Sequence, residues 1–182
     1  MSFHRLLLAL VLFAPLRFSA AALPFFSETV SWTEDVVLSD TRLFSVMRTV
    51  TYGADQFGRS GRGALKQQTI SFHNMGSKVE WKSDESWPID YMPDIFDFVD
   101  GSPVIVMPVH RFGPCKKFGF PQDGIVAYVF RNNRWELVTS EYLPKELKVN
   151  LLRSTHAVQY WPEYKGKRIG LKEKADLQGT SS

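Results

Sequence analysis

The residue in this chain best suited to nucleophilic chemistry is Cys115, its single cysteine. It sits in the string HRFGPCKKFGF, followed by Lys116 and Lys117 and five residues after His110. Neighbouring cations lower a thiol's pKa, and a histidine can serve as the base that generates the thiolate. This pattern fits a small thiol-dependent hydrolase. A spacing of five inside one loop fixes no geometry, however, and an isolated thiol is more often a packed residue than a nucleophile. Serine chemistry has less support. Ser60 lies in GRSGRG (Gly58 to Gly63) without the Gly-x-Ser-x-Gly elbow. The same segment lacks the Gly-Lys-Ser/Thr ending of a phosphate-binding loop and runs into strand-like residues, so it reads as a polar loop.

Metal and cofactor chemistry are not called for. His73, His110 and His156 are isolated, with no His/Cys spacing of a zinc site. Asp90, Asp94, Asp97 and Asp100 form an acidic run in IDYMPDIFDFVDG, but the loop pattern of a calcium site is missing. On a strand these aspartates are expected to face water while Ile95, Phe96 and Phe98 fill the core.

A binding role draws on the same loop as the thiol. Arg111, Lys116 and Lys117 alternate with Phe112, Phe118 and Phe120. Cations interleaved with aromatics suit an anionic or ring-bearing partner, such as a glycan, a lipid headgroup or a protein of the cell envelope. Arg111, Phe112, Lys116, Lys117 and Phe118 are the candidate binding residues. The competing reading tucks the phenylalanines under a sheet and leaves the lysines solvated.

The elements that position this loop follow from the rest of the chain. Arg5, the apolar run Leu6 to Ala14, Pro15 and the small residues Ser19 to Ala22 have the order of a secretory signal peptide, with cleavage expected between Ala22 and Leu23. The run is about half the ~20 apolar residues a membrane-spanning helix needs, so no transmembrane span is expected in the mature chain. Of 182 residues, 22 are basic and 19 acidic. The leader removes Arg5 and Arg17, leaving a nearly neutral body that gives no reason to expect a nucleic-acid partner. One cysteine cannot close an internal disulfide, so the fold must rest on apolar burial.

From Thr29 onward apolar and polar residues alternate in short runs rich in Val, Ile, Thr and aromatics. Strands are expected over Thr29–Leu38, Leu43–Tyr52, Gln68–His73, Lys78–Lys82, Asp94–Val99, Val104–Val109, Ile125–Arg131 and Arg134–Thr139. Asp100-Gly101 and Asn132-Asn133 supply the positive backbone angles of tight hairpins. The expected fold is all-β: a mainly antiparallel meander of about eight strands, barrel- or sandwich-like. Helix is confined to one or two short turns near the C-terminus, at Ser140–Leu147 and Leu171–Leu177. One domain is expected over 23–164, with a polar, partly mobile segment over 165–182.

Cys115 to Pro121 (CKKFGFP), Ala127 to Phe130, Trp135-Glu136 and Leu143-Pro144 resemble a pattern of small exported proteobacterial β-rich proteins without an assigned function. The Asp40-Thr41-Arg42 turn, Val46, Arg48 and the Trp81 strand resemble the same group, which carries glycine where this chain has Thr41. The resemblance implies a Gram-negative periplasmic setting and supplies no catalytic residue. Together these features point to an exported, non-catalytic binding or envelope-associated protein, periplasmic rather than extracellular. The thiol hydrolase is the alternative. N-terminal sequencing of the protein recovered from a periplasmic fraction is expected to begin at Leu23; a chain that still carries Met1 would remove the leader from this reading.

Overall fold

A computed structural model describes residues 27–53, 63, 65–83, 92–109, 112–153 and 164–179. The leader with its cleavage site Ala22/Leu23, the loop residues 58–62, Asp90, His110, Arg111 and His156 lie outside the described residues.

Alternation sets the first sheet. In β1 (Glu28–Val37) the period of two puts Val30, Trp32, Glu34 and Val36 on one face and Thr29, Ser31, Thr33 and Asp35 on the other. β2 (Leu43–Tyr52) pairs antiparallel along its full length, from Val37 opposite Leu43 to Glu28 opposite Tyr52. This register brings Val46, Arg48, Val50 and Tyr52 to the buried face. β3 (Leu65–Asn74) and β4 (Ser77–Lys82) extend the meander, and β9 (Arg168–Ile169) joins β1 in parallel, giving the order β4-β3-β2-β1-β9.

The second sheet is a four-stranded meander of β5 (Ile95–Val99), β6 (Ser102–Pro108), β7 (Ile125–Arg131) and β8 (Arg134–Val138) in that order. Its hairpins turn where the sequence places them. Asp100-Gly101 and Asn132-Asn133 take positive φ at both positions, as does Met75-Gly76 in the first sheet. Such pairs match the right-handed twist of the strands they join. Thr41, in the β1–β2 turn, also holds a left-handed φ of 71°.

The two sheets face each other as a sandwich, not a closed barrel. Between them lie Ile70, Phe72 and Trp81 from the first sheet and Phe96, Ile105, Met107 and Val126 from the second. Phe72 and Phe96 meet edge to face at 4.7 Å, with Phe44 and Phe98 around them. On one side of the sandwich Trp135 Nε1 donates to the Glu80 carbonyl at 2.8 Å, tying β8 to β4. On the other, Asn150 acts as a strand in miniature. Its Oδ1 accepts from Phe96 N–H, and its Nδ2 donates to the carbonyls of Phe96 and Val37. The far face of the second sheet, with Val104, Val106, Ala127 and Val129, is covered by Tyr142, Leu143 and Leu147. Burial on both faces explains why β6 reads as an unbroken apolar run.

Four features depart from the sequence-based expectation. A short helix, α1 (Phe112–Lys117), stands in the loop between β6 and β7. The polar tail adds β9, a strand not expected there, ahead of α2 (Leu171–Gly179), which forms where a helical turn was expected; together they deliver Ile169 and Leu177 to a core with Val30, Trp32 and Leu152. Asp97 does not face water: it is buried and accepts hydrogen bonds from the Ser39 amide at 2.9 Å and hydroxyl at 3.1 Å. Finally, the first sheet buries a charge.

Glu34 is wholly enclosed. Its Oε2 accepts from Trp32 Nε1 at 3.1 Å and Arg48 Nη1 at 3.4 Å, and its Oε1 accepts from Leu152 N–H at 2.8 Å and Lys174 Nζ at 3.1 Å. Arg48 also donates to the Leu152 carbonyl and Lys174 to the Asn150 carbonyl. Burial pushes the Glu34 carboxyl up, but Arg48, Lys174 and the two hydrogen bonds together hold it below the ordinary carboxylate value. Burial pushes Lys174 down against the pull of Glu34. A carboxyl depressed by folding contributes stability above its unfolded pKa of about 4.3, and that contribution is lost as pH falls through the folded value. Glu34→Gln leaves two buried cations without their counter-charge and is expected to cost about 3–5 kcal/mol. Urea melts from pH 7 to pH 3 check both points: wild-type stability should fall in acid more steeply than that of the variant, and parallel acid limbs would remove Glu34 as the titrating group.

Candidate functional site

The described surface carries a pair of well-formed clefts at the two sides of the sandwich's second sheet. The smaller, about 430 Å³, lies among Ser39, Asp97, Lys148, Asn150, Leu171 and Lys174. Its Asp97, Asn150 and Lys174 already hold the β1–β2 turn, the edge of β5 and Glu34, which leaves little recognition capacity at its floor. The ion cluster at Glu34 reaches this cleft only through Lys174, whose ammonium is turned to Glu34 and the Asn150 carbonyl.

The larger cleft, about 490 Å³, is built where the predicted binding loop meets the β7–β8 hairpin and the turn after it. Phe118, Pro121, Gln122 and Asp123 form one wall. Ile125, Val126 and Leu137 give an apolar floor, and Val138 to Glu141 form the other wall. α1 ends where Gly119 (φ 73°) and Phe120 (φ 57°) turn left-handed, with the Phe120 amide bonded to the Cys115 carbonyl. A bulky residue at positive φ is strained and persists where its surroundings hold it. The turn leaves Phe118 half-buried against the core and Phe120 54% exposed. Ile125 and Leu137 also present large apolar side chains to solvent, so the cleft and its rim form one apolar patch.

The charged groups in the lining are acidic. Ser140 hydrogen-bonds the Asp123 carboxylate across the cleft and holds it below its ordinary value, with the Ile125 amide adding to the effect. Glu141 stands exposed on the same rim. Lys116 and Lys117 project from α1 into solvent, and Lys117 Nζ lies 5.3 Å from the Phe118 ring.

The loop residues predicted from sequence therefore separate. Phe118 belongs to the cleft and Lys116 and Lys117 flank it. Arg111 and the Phe112 side chain are outside the described atoms. Cys115 is half-buried, packs against the inter-sheet core, and its Sγ donates to the Val109 carbonyl at 3.4 Å. Its suggested base, His110, lies outside the described residues. Among the described residues no three His, Cys, Asp or Glu side chains converge on a metal position, and no helix is long and apolar enough to cross a membrane.

Asp123, Leu137, Ser140 and Glu141 were not singled out by sequence reasoning. The signal available for Leu137 was its place on the last strand of a hairpin, where one face runs past the partner sheet.

No protein-family model, curated protein or solved structure matches this chain. Ser140→Ala is expected to release Asp123 toward its ordinary pKa, an upward move that a carboxyl-detected NMR titration reads directly. An unmoved Asp123 would show that the two walls are not coupled through this bond.

Proposed function

We propose that the chain is an exported, non-catalytic binding module of a Gram-negative envelope, and that the cleft between Phe118 and Leu137 is its recognition site. The observation that carries this reading is the cleft itself: a concave apolar floor bounded by oriented polar groups, with aromatic and aliphatic side chains left exposed around it. Export is supported by the leader sequence, and the periplasm by the resemblance of the CKKFGFP region. The acidic walls disfavour an anionic lipid headgroup inside the cleft and favour ligands that donate hydrogen bonds, namely a sugar or a protein segment.

The thiol-hydrolase reading has less support, because the Cys115 thiol packs against the core and is engaged by a backbone carbonyl. Replacing Cys115 by Ser separates the two: a hydrolase loses its turnover, a binding module keeps its ligand.

A photoreactive phenylalanine analogue introduced at Leu137 in cells expressing the full chain is expected to give a discrete periplasmic adduct. The same analogue at Met75, which is 97% exposed on the distant β3–β4 turn, serves as control and should give none. Equal labelling at both positions, or none at either, would sink the cleft as a recognition site.

A further inference from the structure

We infer that β8 is a receptor edge: an extended segment of a partner protein adds antiparallel to it as a fifth strand of the second sheet, with an apolar side chain in the cleft. The inference rests on the cleft being the binding site and adds which class of partner enters it and how.

The state of the four sheet edges carries the argument. An unpaired edge presents a row of N–H and C=O groups, and folded proteins cover or guard such rows. β5 is covered, since Asn150 bonds both the amide and the carbonyl of Phe96, and the Asp94 carbonyl accepts from the Asn150 and Leu151 amides. One end of the first sheet is β9, an edge strand of only two residues that covers β1, with the Lys167 carbonyl accepting from Thr33 N–H and the Ser31 carbonyl from Gly166 N–H. β4 has its Glu80 carbonyl occupied by Trp135, and Lys78 and Lys82 pair with the Glu80 carboxylate along it. Among the described residues nothing covers β8 in this way.

Hairpin geometry says which β8 groups are open. The two-residue Asn132-Asn133 turn makes Arg131 and Arg134 a doubly bonded pair, and in an antiparallel ladder bonded and non-bonded pairs alternate. Glu136 and Val138 therefore face β7, and the backbone N–H and C=O of Trp135 and Leu137 point outward. No described residue bonds to them. Directly opposed residues of an antiparallel pair share a face, so the residue set against Leu137 sends its side chain to the Leu137 side, over the apolar floor of the cleft. Backbone bonds on an edge with a side-chain pocket beside it are the two parts of strand-addition recognition.

Charge sets the residue order of such a segment. The cleft end of β8 is acidic, with Asp123 and Glu141. The turn end is basic, because Arg131 and Arg134 share the single Glu136 carboxylate. An antiparallel segment begins at the cleft end, so its complement carries basic residues at its N-terminal end, alternating apolar residues in the middle and acidic residues at its C-terminal end. A sugar satisfies the cleft but leaves the Trp135 and Leu137 edge groups unused.

The test selects displayed random peptides of about ten residues, two ordinary strand lengths, on the immobilised mature protein and on Leu137→Pro. Proline there removes the outward N–H together with the Leu137 side chain and keeps the β7 ladder, so Leu137→Ala, which loses the side chain but keeps the N–H, is the control and should cost clearly less. Enriched peptides should show the basic-apolar-acidic order, and on binding the Trp135 and Leu137 amides should become protected from hydrogen exchange. Affinity should fall about tenfold or more, the effect of one to two lost hydrogen bonds with their packing, on Leu137→Pro. Should that variant fail to fold, N-methylating the enriched peptide at the residue opposite Leu137 applies the same block from the ligand side, with the same loss expected. No enrichment over background, equal binding after either block, or a self-associated chain with Trp135 and Leu137 protected in the absence of peptide would each overturn strand addition. If a glycan panel occupies the cleft where peptides do not, the binding module stands and only this inference falls.

Discussion

A carboxylate with no access to water sits at the middle of β1, and much of the architecture can be understood as what that charge demands. Removing an ion from water costs several kcal/mol even after the protein relaxes, and the cost is offset only by good geometry and full hydrogen bonding. Glu34 receives four donors on two oxygens, from Trp32, Arg48, Leu152 and Lys174. Those donors come from the same strand, the adjacent strand, the segment after the second sheet and the last helix. Two cations for one carboxylate leave positive charge in excess, and the carbonyls of Leu152 and Asn150 take it up. One buried charge thus closes contacts across 140 positions of sequence, and it explains why so polar a helix as α2 stays docked. Lys174 and Leu177 are its buried residues, the first held by Glu34 and the second by the Trp32 cluster.

This fastening is one-sided. Asn150, next to the Glu34 network, also seals β5 and reaches Val37, so the side of the sandwich formed by β1, β5 and β9 is bonded throughout. Among the described residues the opposite side is held by the indole bond of Trp135 to Glu80 and by aromatic packing of Trp135 against Phe72 and Phe130. The cleft opens beside that less restrained side. Recognition surfaces gather where the framework does not already use its polar groups, and here the division falls between β5 and β8.

The strands and turns were legible in the sequence because their causes are local. Alternation marks β1 to β4, and Asp100-Gly101 and Asn132-Asn133 announce their hairpins through backbone conformation alone. α1 was not legible: six residues containing Gly113 and Pro114 carry no helical period, and so short a helix depends on its surroundings. Asp97 read as solvent-facing because its partner, Ser39, is 58 residues away, and Lys174 read as one charge in a polar tail because Glu34 is 140 residues away. Pairings at such separation leave no mark on either segment. The site was half legible for the same reason. The aromatic-basic loop pointed to Phe118, whereas the acidic groups come from Asp123 and Glu141 on facing walls, which are brought to one cleft only once β7 and β8 have paired.

Leu137 shows how one strand can serve both core and surface. Trp135 and Leu137 alternate with Glu136 and point to the same face, so the pattern alone assigns both to the interior. Trp135 finds the aromatic cluster and Glu80 beneath it. Leu137, two residues on, passes the end of the first sheet and meets the cleft instead, 54% exposed. An apolar residue retained at such a position gains little from the fold, since most of its area stays in water. Phe120 repeats the case from the facing loop and adds backbone strain to exposure. At the cleft itself, a ligand that buries Ile125 and Leu137 together would recover apolar area that folding leaves unused.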